Sequence, residues 1–253
     1  MKGISTLSII PVRSEPSDKA EMVTQILFGE QFEVLEKEKS WRKIRLNGDD
    51  YTGWIDAKQV TLLNEEEQKF MDVPALTYDL VQLAIAGSAV IPIILGSTLP
   101  FYHLKKIHIG NTEYEFEGHV KTPAKSDISN ITEYAAMYLN APYLWGGRSP
   151  FGIDCSGLTQ MVFKLCGIRL KRDAHQQVAQ GKSVSTIEAA QEGDLAFFRN
   201  EDGKVSHTGI ILSLNRIIHA HGRVRIDKID SEGIFNTEQE RYTHKLSHLR
   251  RME

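Results

Sequence analysis

The stretch GIDCSGLTQMVFKLCG, residues 152–167, places one of only two cysteines in a 253-residue chain just ahead of an apolar helical repeat. Leu158, Met161, Val162 and Leu165 recur at the spacing of a helix buried along one face, and Gly167 is a stop signal. The spacing predicts a helix from Ser156 to Cys166 with Cys155 at its N-terminus. Unpaired amides and the helix dipole favour an anion there, so the thiol is expected to ionise more readily. Ser156 and Gly157 allow close approach of a substrate to the backbone, and amides of this turn can form an oxyanion hole. An isolated free cysteine is more often a buried apolar residue, and Cys166, on the apolar face, is read that way.

A thiol nucleophile needs a base. Downstream, GDLAFFR, HTGIILS and RIIHAHG read as three antiparallel strands. His207 opens the second and His219 lies in the third, so adjacent strands can bring them together, one accepting the thiol proton and a second polar group orienting its ring. His219 and His221 are two apart and share a strand face, so either can be the orienter on geometry alone. A zinc site from Cys155, His207, His219 and His221 is disfavoured, because no ligand pair has zinc-finger spacing. Two cysteines also cannot build a disulfide framework or a four-cysteine zinc site. No metal or organic cofactor is expected.

Further out, residues 1–62 hold five strand-like runs, TLSIIPV, MVTQILF, QFEVLEKE, WRKIRLN and YTGWID, punctuated by Gly29, Asn47-Gly48 and Gly53, which suggest a small barrel. Residues 63–122 give LVQLAI, AVIPIIL, LPFYHL, KKIHIG and YEFEGHV as further strands. From Leu80 to Leu104 there is no Asp, Glu, Lys or Arg. Gln82, Gly87, Ser88, Pro92, Gly96, Ser97 and Pro100 interrupt that run, which reads as short strands rather than a membrane-spanning helix. KTPAKSDIS is a polar linker. DISNITEYAAMYLNA then reads as a helix capped at Asp127 or Ser129 and ended by Pro142. Helix, Gly-rich loop, helix and antiparallel strands over 127–253 make an α+β domain. A net charge of −3 gives no electrostatic reason to expect nucleic acid or an anionic membrane as partner.

YLWGGRSPFGIDCSGLTQMVF, followed in order by RDAHQQ, EGDLAFF, HTGIIL and IIHAHG, resembles the NlpC-type cysteine peptidases, papain-like enzymes that cut bacterial cell-wall peptides. The resemblance implies Cys155 as nucleophile, His207 as general base and then acid, and His219 rather than His221 as orienter. Tyr143 matches a family tyrosine whose hydroxyl helps hold the oxyanion. Arg13, Pro16, LFGE at 27–30, Trp41 and GWI at 53–55 resemble a bacterial SH3-like domain, and residues 63–122 are consistent with a second, divergent one.

SH3-like modules ahead of this catalytic domain are similar to the γ-D-glutamyl-L-diamino-acid endopeptidases. That resemblance implies a murein peptide of the form L-Ala-γ-D-Glu-diamino acid as partner, cut after γ-D-Glu by a monomer. It further implies that Glu21, Asp154 and Tyr51 hold the free N-terminal ammonium, and that Arg172 grips the free α-carboxylate of the γ-linked D-Glu. Ser156 either bonds substrate or caps the helix. His175 departs from the small polar residue usual after RDA and is expected to alter the pocket wall. Need of a free N-terminal alanine fits recycling of released peptides, and the expected location is the cytoplasm. The same residues also suit an amidase or acyltransferase, and a non-catalytic cell-wall binding module is a further reading that the intact Cys155, His207 and His219 set opposes.

Overall fold

A computed structural model describes residues 1–64, 75–213 and 215–252. The chain divides into two compact units, Met1–Pro123 and Ala124–Glu253.

In the first unit, β1 (Lys2–Ile4), β2 (Ile9–Arg13), β3 (Met22–Leu27), β4 (Gln31–Glu38), β5 (Trp41–Leu46), β6 (Thr52–Asp56) and β7 (Thr61–Leu62) form one antiparallel sheet ordered β3-β2-β6-β5-β4-β1-β7. The five expected strands are there, joined by the short β1 and β7. Alternation along β2 and β5 sends Ile10, Val12, Ile44 and Leu46 inward, where they meet Ile26, Phe32 and Ile55. Next come β8 (Ala75–Thr77), β9 (Val81–Ala86), β10 (Ala89–Ile94), β11 (Thr98–Leu99), β12 (Lys106–Ile109), β13 (Thr112–Phe116) and β14 (Val120–Lys121). They make a four-stranded sheet, β10-β9-β13-β12, and a three-stranded one, β11-β8-β14.

The charge-free run thus becomes strands, with Pro92 on the edge strand β10 where its missing N–H matters least. Among the described residues no helix is long and apolar enough to cross a membrane. LPFYHL is not the strand expected: Phe101, Leu104 and Lys105 adopt φ of 49°, 47° and 64°, which turns the chain. Ile4 and Phe28 share one apolar cluster with Leu63, Ala84, Ile93 and Ile107. The second SH3-like segment, 63–122, includes residues 65–74, which lie outside the described residues.

The second unit opens with a 3-10 turn, Lys125–Asn130, and α1 (Ile131–Ala136). The single helix expected from Asp127 is therefore split. Asp127 sits inside the first turn, its carboxylate accepting the Ala124 N–H at 2.8 Å. After β15 (Arg148–Ser149) and β16 (Gly152–Ile153) comes α2 (Cys155–Leu165), one residue earlier than the spacing predicts, then α3 (Ala174–Gln177).

Seven strands follow: β17 (Lys182–Val184), β18 (Leu195–Arg199), β19 (Val205–Leu212), β20 (Arg216–His221), β21 (Arg223–Ile229), β22 (Gly233–Asn236) and β23 (Arg241–Arg251). Their order is β17-β23-β18-β19-β20-β21-β22, and β22 also pairs with β23, closing β18–β23 into a ring. Every residue of α2 except Lys164 is buried. This helix packs on β19 and β20, so Cys155 and the two histidine strands belong to one packed layer.

Candidate active site

Asp154 is the N-cap of α2: its backbone is extended and its carboxylate accepts the Gly157 N–H at 2.7 Å. The same carboxylate accepts the Gly146 N–H at 2.8 Å, while the Asp154 N–H reaches the Gly147 carbonyl at 3.3 Å. The glycine-rich loop is thereby folded onto the helix start. That approach leaves no room for side chains, since a Cβ on Gly157 would lie 2.3 Å from the Gly147 carbonyl oxygen. Cys155, the first residue of α2, is thus held by a cap, a loop and the β19 backbone together.

The capping carboxylate also changes the electrostatics expected at Cys155. Burial, and then the negative charge of Asp154, push the thiol up to about 12, against the opposing pull of Arg172 and the Thr208 and Ser156 amides. The expectation of an easily ionised thiol is corrected here. The helix end does present amides, but its cap is an anion, and the thiol is buried. Cys155 therefore holds its proton at neutral pH and needs a base to remove it at the moment of attack. The Thr208 amide that touches it is one residue along β19 from His207.

His207 Nε2 and His219 Nδ1 are 2.9 Å apart, and His219 Nε2 lies 2.9 Å from Asp227 Oδ2. This chain assigns the protons. The pull of burial on the Asp227 carboxyl is upward, but bonds from His219 and Arg225 outweigh it and hold its pKa at about 2. It is an acceptor only, so His219 Nε2 carries a proton, and His219 Nδ1 accepts. His207 must then donate from Nε2, which leaves Nδ1 with the lone pair that can take a thiol proton. Burial keeps His207 and His219 neutral, lowering both from the ordinary histidine value. Arg225 closes the far end with a bidentate grip on Asp227 at 2.7 and 2.9 Å.

His219 is fully buried whereas His221 is exposed at the strand end, and it is His219 that the structure brings to His207. Asp227 and Arg225 escaped the sequence reading because β21 was not among the expected strands. The signal was present: a hairpin turning at Gly222 pairs His219 with Arg225, and Asp227 lies diagonal to that pair. His244 on β23 was missed too, and its ring stacks on His207 with centroids 4.1 Å apart.

Tyr143 lies beside Cys155, joined to the loop by a parallel bridge to Ile153. Burial, then the neighbouring Cys155 and Asp154, raise its hydroxyl to about 12, so it stays a hydrogen-bond donor. Arg172 is 1% exposed, and its Nη1 and Nη2 reach Asp154 Oδ1 and Oδ2 at 3.0 and 2.6 Å. The fork of Arg172, for which the resemblance implies a substrate carboxylate, holds Asp154. Ser156 Oγ accepts from Arg172 at 2.9 Å and lies 3.3 Å from Asp154, so it belongs to this network, and the cap is Asp154.

Asp154 itself accepts from two backbone amides, from Ser156 and from Arg172. His175 is exposed, unlike the residues of this buried cluster. In the first unit, Glu21 precedes β3 and is exposed, while Tyr51 is half-buried against the apolar cluster of the first sheet.

Residues 140–244 match the NlpC/P60 family, and residues 12–60 match the bacterial dipeptidyl-peptidase SH3 domain. The chain is 30% identical over 228 residues to a gamma-D-glutamyl-L-lysine dipeptidyl-peptidase of Bacillus cereus, covering 79% of this chain and 67% of that one. It is 26% identical to dipeptidyl-peptidase 6 of Lysinibacillus sphaericus, over 92% of this chain and 93% of the relative. In fold it is similar to an NlpC/P60 family protein from Bacillus cereus, with a TM-score of 0.82 at 22% identity over 99% of both chains. These matches span the Cys155 helix start, both histidine strands and Asp227, and the chain belongs to the NlpC/P60 family of peptidases, with an SH3 domain ahead of its hydrolase domain.

Proposed function

We propose that this hydrolase cuts the bond between γ-D-Glu and an L-diamino acid in murein peptides with a free N-terminal L-Ala, releasing L-Ala-γ-D-Glu. The observation that carries the reading is the Asp227–His219–His207 chain, which leaves a lone pair on His207 Nδ1, on the residue beside Thr208, whose amide bonds the buried thiol. The dipeptidyl-peptidase relatives support the choice of peptide.

The steps follow from the residues. His207 Nδ1 takes the Cys155 proton as sulfur attacks the γ-carbonyl carbon of D-Glu. The resulting imidazolium is stabilised through His219 by the Asp227 carboxylate. The oxyanion is met by the Tyr143 hydroxyl and the Cys155 N–H, which precedes the hydrogen-bond ladder of α2. His207 then gives its proton to the departing diamino-acid nitrogen, leaving a thioester. Water, deprotonated by the same Nδ1, attacks the thioester and restores the thiol.

Asp154 and Arg172 act by holding the helix start rather than by meeting substrate. The resemblance leaves recognition of the N-terminal ammonium with Glu21 and Tyr51. A need for a free N-terminus suits peptides already released from the wall, and we place the reaction in their recycling in the cytoplasm.

The test is incubation of the purified chain with L-Ala-γ-D-Glu-diaminopimelate and identification of the products by mass spectrometry. The expected products are the dipeptide and the free diamino acid, with turnover abolished in C155S. Undiminished turnover in C155S would sink the assignment. Equal cleavage of the N-acetylated peptide would remove the free N-terminus from the proposal, and E21Q with an unchanged KM would remove Glu21.

A further inference from the structure

Phe198, His219 and His244 each lay a ring against His207, and the proposed reaction uses only His219. The His219 ring is turned 86° to that of the base and takes the bond from Nε2. Phe198 is tilted at 47°, with ring centroids 5.8 Å apart. His244 is different. Its ring lies 24° from parallel with that of His207, centroids 4.1 Å apart, so it covers one face of the base.

Two irregularities in β23 put it there. The strand pairs with β22 and with β18, and each ladder slips by one residue. Tyr242 and His244 face Phe235 and Ile234, which leaves Thr243 as an extra residue. Leu246 and His248 face Phe198 and Phe197, which leaves Ser247 as another. Bulges of this kind bend a strand and re-aim a side chain, and they gather beside active sites. The ring that results is held on several sides. His244 Nδ1 is 2.9 Å from Thr243 Oγ1, and the Thr243 hydroxyl reaches the Ile234 carbonyl at 3.4 Å. Phe198 and His221 meet the ring in T-shaped contacts at 5.9 and 4.8 Å.

We propose that His244 is a positioning residue for the peptidase: stacked on His207, it holds the base in the plane that His219 requires and favours the imidazolium that forms as Cys155 attacks. The proposal rests on the peptidase reading. A cation within about 6 Å of an aromatic face is drawn to its π cloud, whereas two neutral rings attract each other less. The contact therefore strengthens as the proton reaches His207. An interaction that grows toward the transition state raises kcat and leaves KM alone. A charge on His244 would reverse the effect. The titratable groups around it are His207, His219, His221 and Asp227, and burial, then His219 and His221, hold its pKa at about 3. The stacked ring is thus uncharged at neutral pH.

The test compares the full chain with H244F, which keeps a π face on His207, and with H244L, which keeps apolar bulk without one. On L-Ala-γ-D-Glu-diaminopimelate, H244L should lose ~10-fold in kcat at unchanged KM, and H244F should stay within about threefold of wild type. Alkylation of Cys155 by iodoacetamide, located by mass spectrometry, reads the same stack without peptide. Forming the thiolate puts its proton on His207, so H244L should react ~10-fold more slowly while H244F keeps the wild-type rate. In the wild-type chain, NMR should find the carbon-bound ring protons of His207 shifted upfield by the ring beneath them.

Equal kcat in H244L and H244F overturns the proposal, and so do unshifted His207 protons. A raised KM at unchanged kcat in H244L moves His244 into substrate binding and overturns it as well. Should H244L fail to fold, H244M, unbranched and without a ring, takes its place, and the wild-type NMR reading stands in any case. A chain that cuts no peptide yet shows the alkylation contrast counts against the peptidase reading alone. Peptide turnover and alkylation that are both unchanged in H244L overturn the stacking role alone.

Discussion

Replacing Asp227 by Asn perturbs the proton chain at its buried end while keeping the shape. Asp227 Oδ2 accepts from His219 Nε2 at 2.9 Å and from Arg225 Nε at 2.7 Å, and Oδ1 accepts from Arg225 Nη2 at 2.9 Å. An amide NH2 in either position faces a donor. If the amide oxygen stays toward His219, the tautomers survive and only the charge is lost. A unit charge two hydrogen bonds from the imidazolium, at an effective dielectric near 20, contributes about 2 kcal/mol. That is roughly a 30-fold slower reaction. If the NH2 turns toward His219 instead, His219 becomes the Nδ1–H tautomer, His207 carries its proton on Nδ1, and the loss approaches ~10⁴-fold.

The assay is kcat/KM on L-Ala-γ-D-Glu-diaminopimelate, with ring-nitrogen NMR of His207 and His219 reporting the tautomers. Arg225 keeps Glu238 at 2.8 Å, so the variant should fold with a loss of ~1–3 kcal/mol. A folded D227N within about threefold of wild type would refute both the proton assignment and the electrostatic role argued from it.

Other expectations follow from the helix start. D154N removes the charge that, after burial, raises the Cys155 thiol, so alkylation by iodoacetamide should become faster at pH 8; an unchanged rate-against-pH curve contradicts this. R172M strips the counter-ion from a buried carboxylate and should cost about 3–5 kcal/mol in urea unfolding, well beyond a surface arginine. G157A drives a methyl against the Gly147 carbonyl at 2.3 Å and should lower Tm together with kcat, whereas G48A, with nothing within 4 Å, should change neither.

The residues near the nucleophile were legible because their constraints are local in sequence. The helix repeat and the Ser156-Gly157 pair after Cys155 fall within 16 residues, and backbone sterics act over that range, whereas the cap proved to be Asp154 rather than Ser156. His207 and His219 were legible as strand residues because each lies in a short apolar run, HTGIIL and IIHAHG, of the kind a strand buried on both faces makes. LPFYHL was misread for the opposite reason: its apolar residues suit a strand, but three left-handed backbone conformations nearby turn the chain, and composition does not encode those.

The sequence by itself determined the family and marked Cys155, His207 and His219 as the candidates for its chemistry, since those readings rest on residue type and short spacing. Tertiary structure alone decided which charges surround them. Asp154 and Arg172 are 18 residues apart and meet only because the loop before α3 folds back onto α2. Asp227 and His244 reach the histidines through a ring of strands whose register no single segment specifies. Long-range pairing sets desolvation and partner charge, and these decide whether a thiol at a helix start is ionised, which carboxylate is free, and which nitrogen holds the proton.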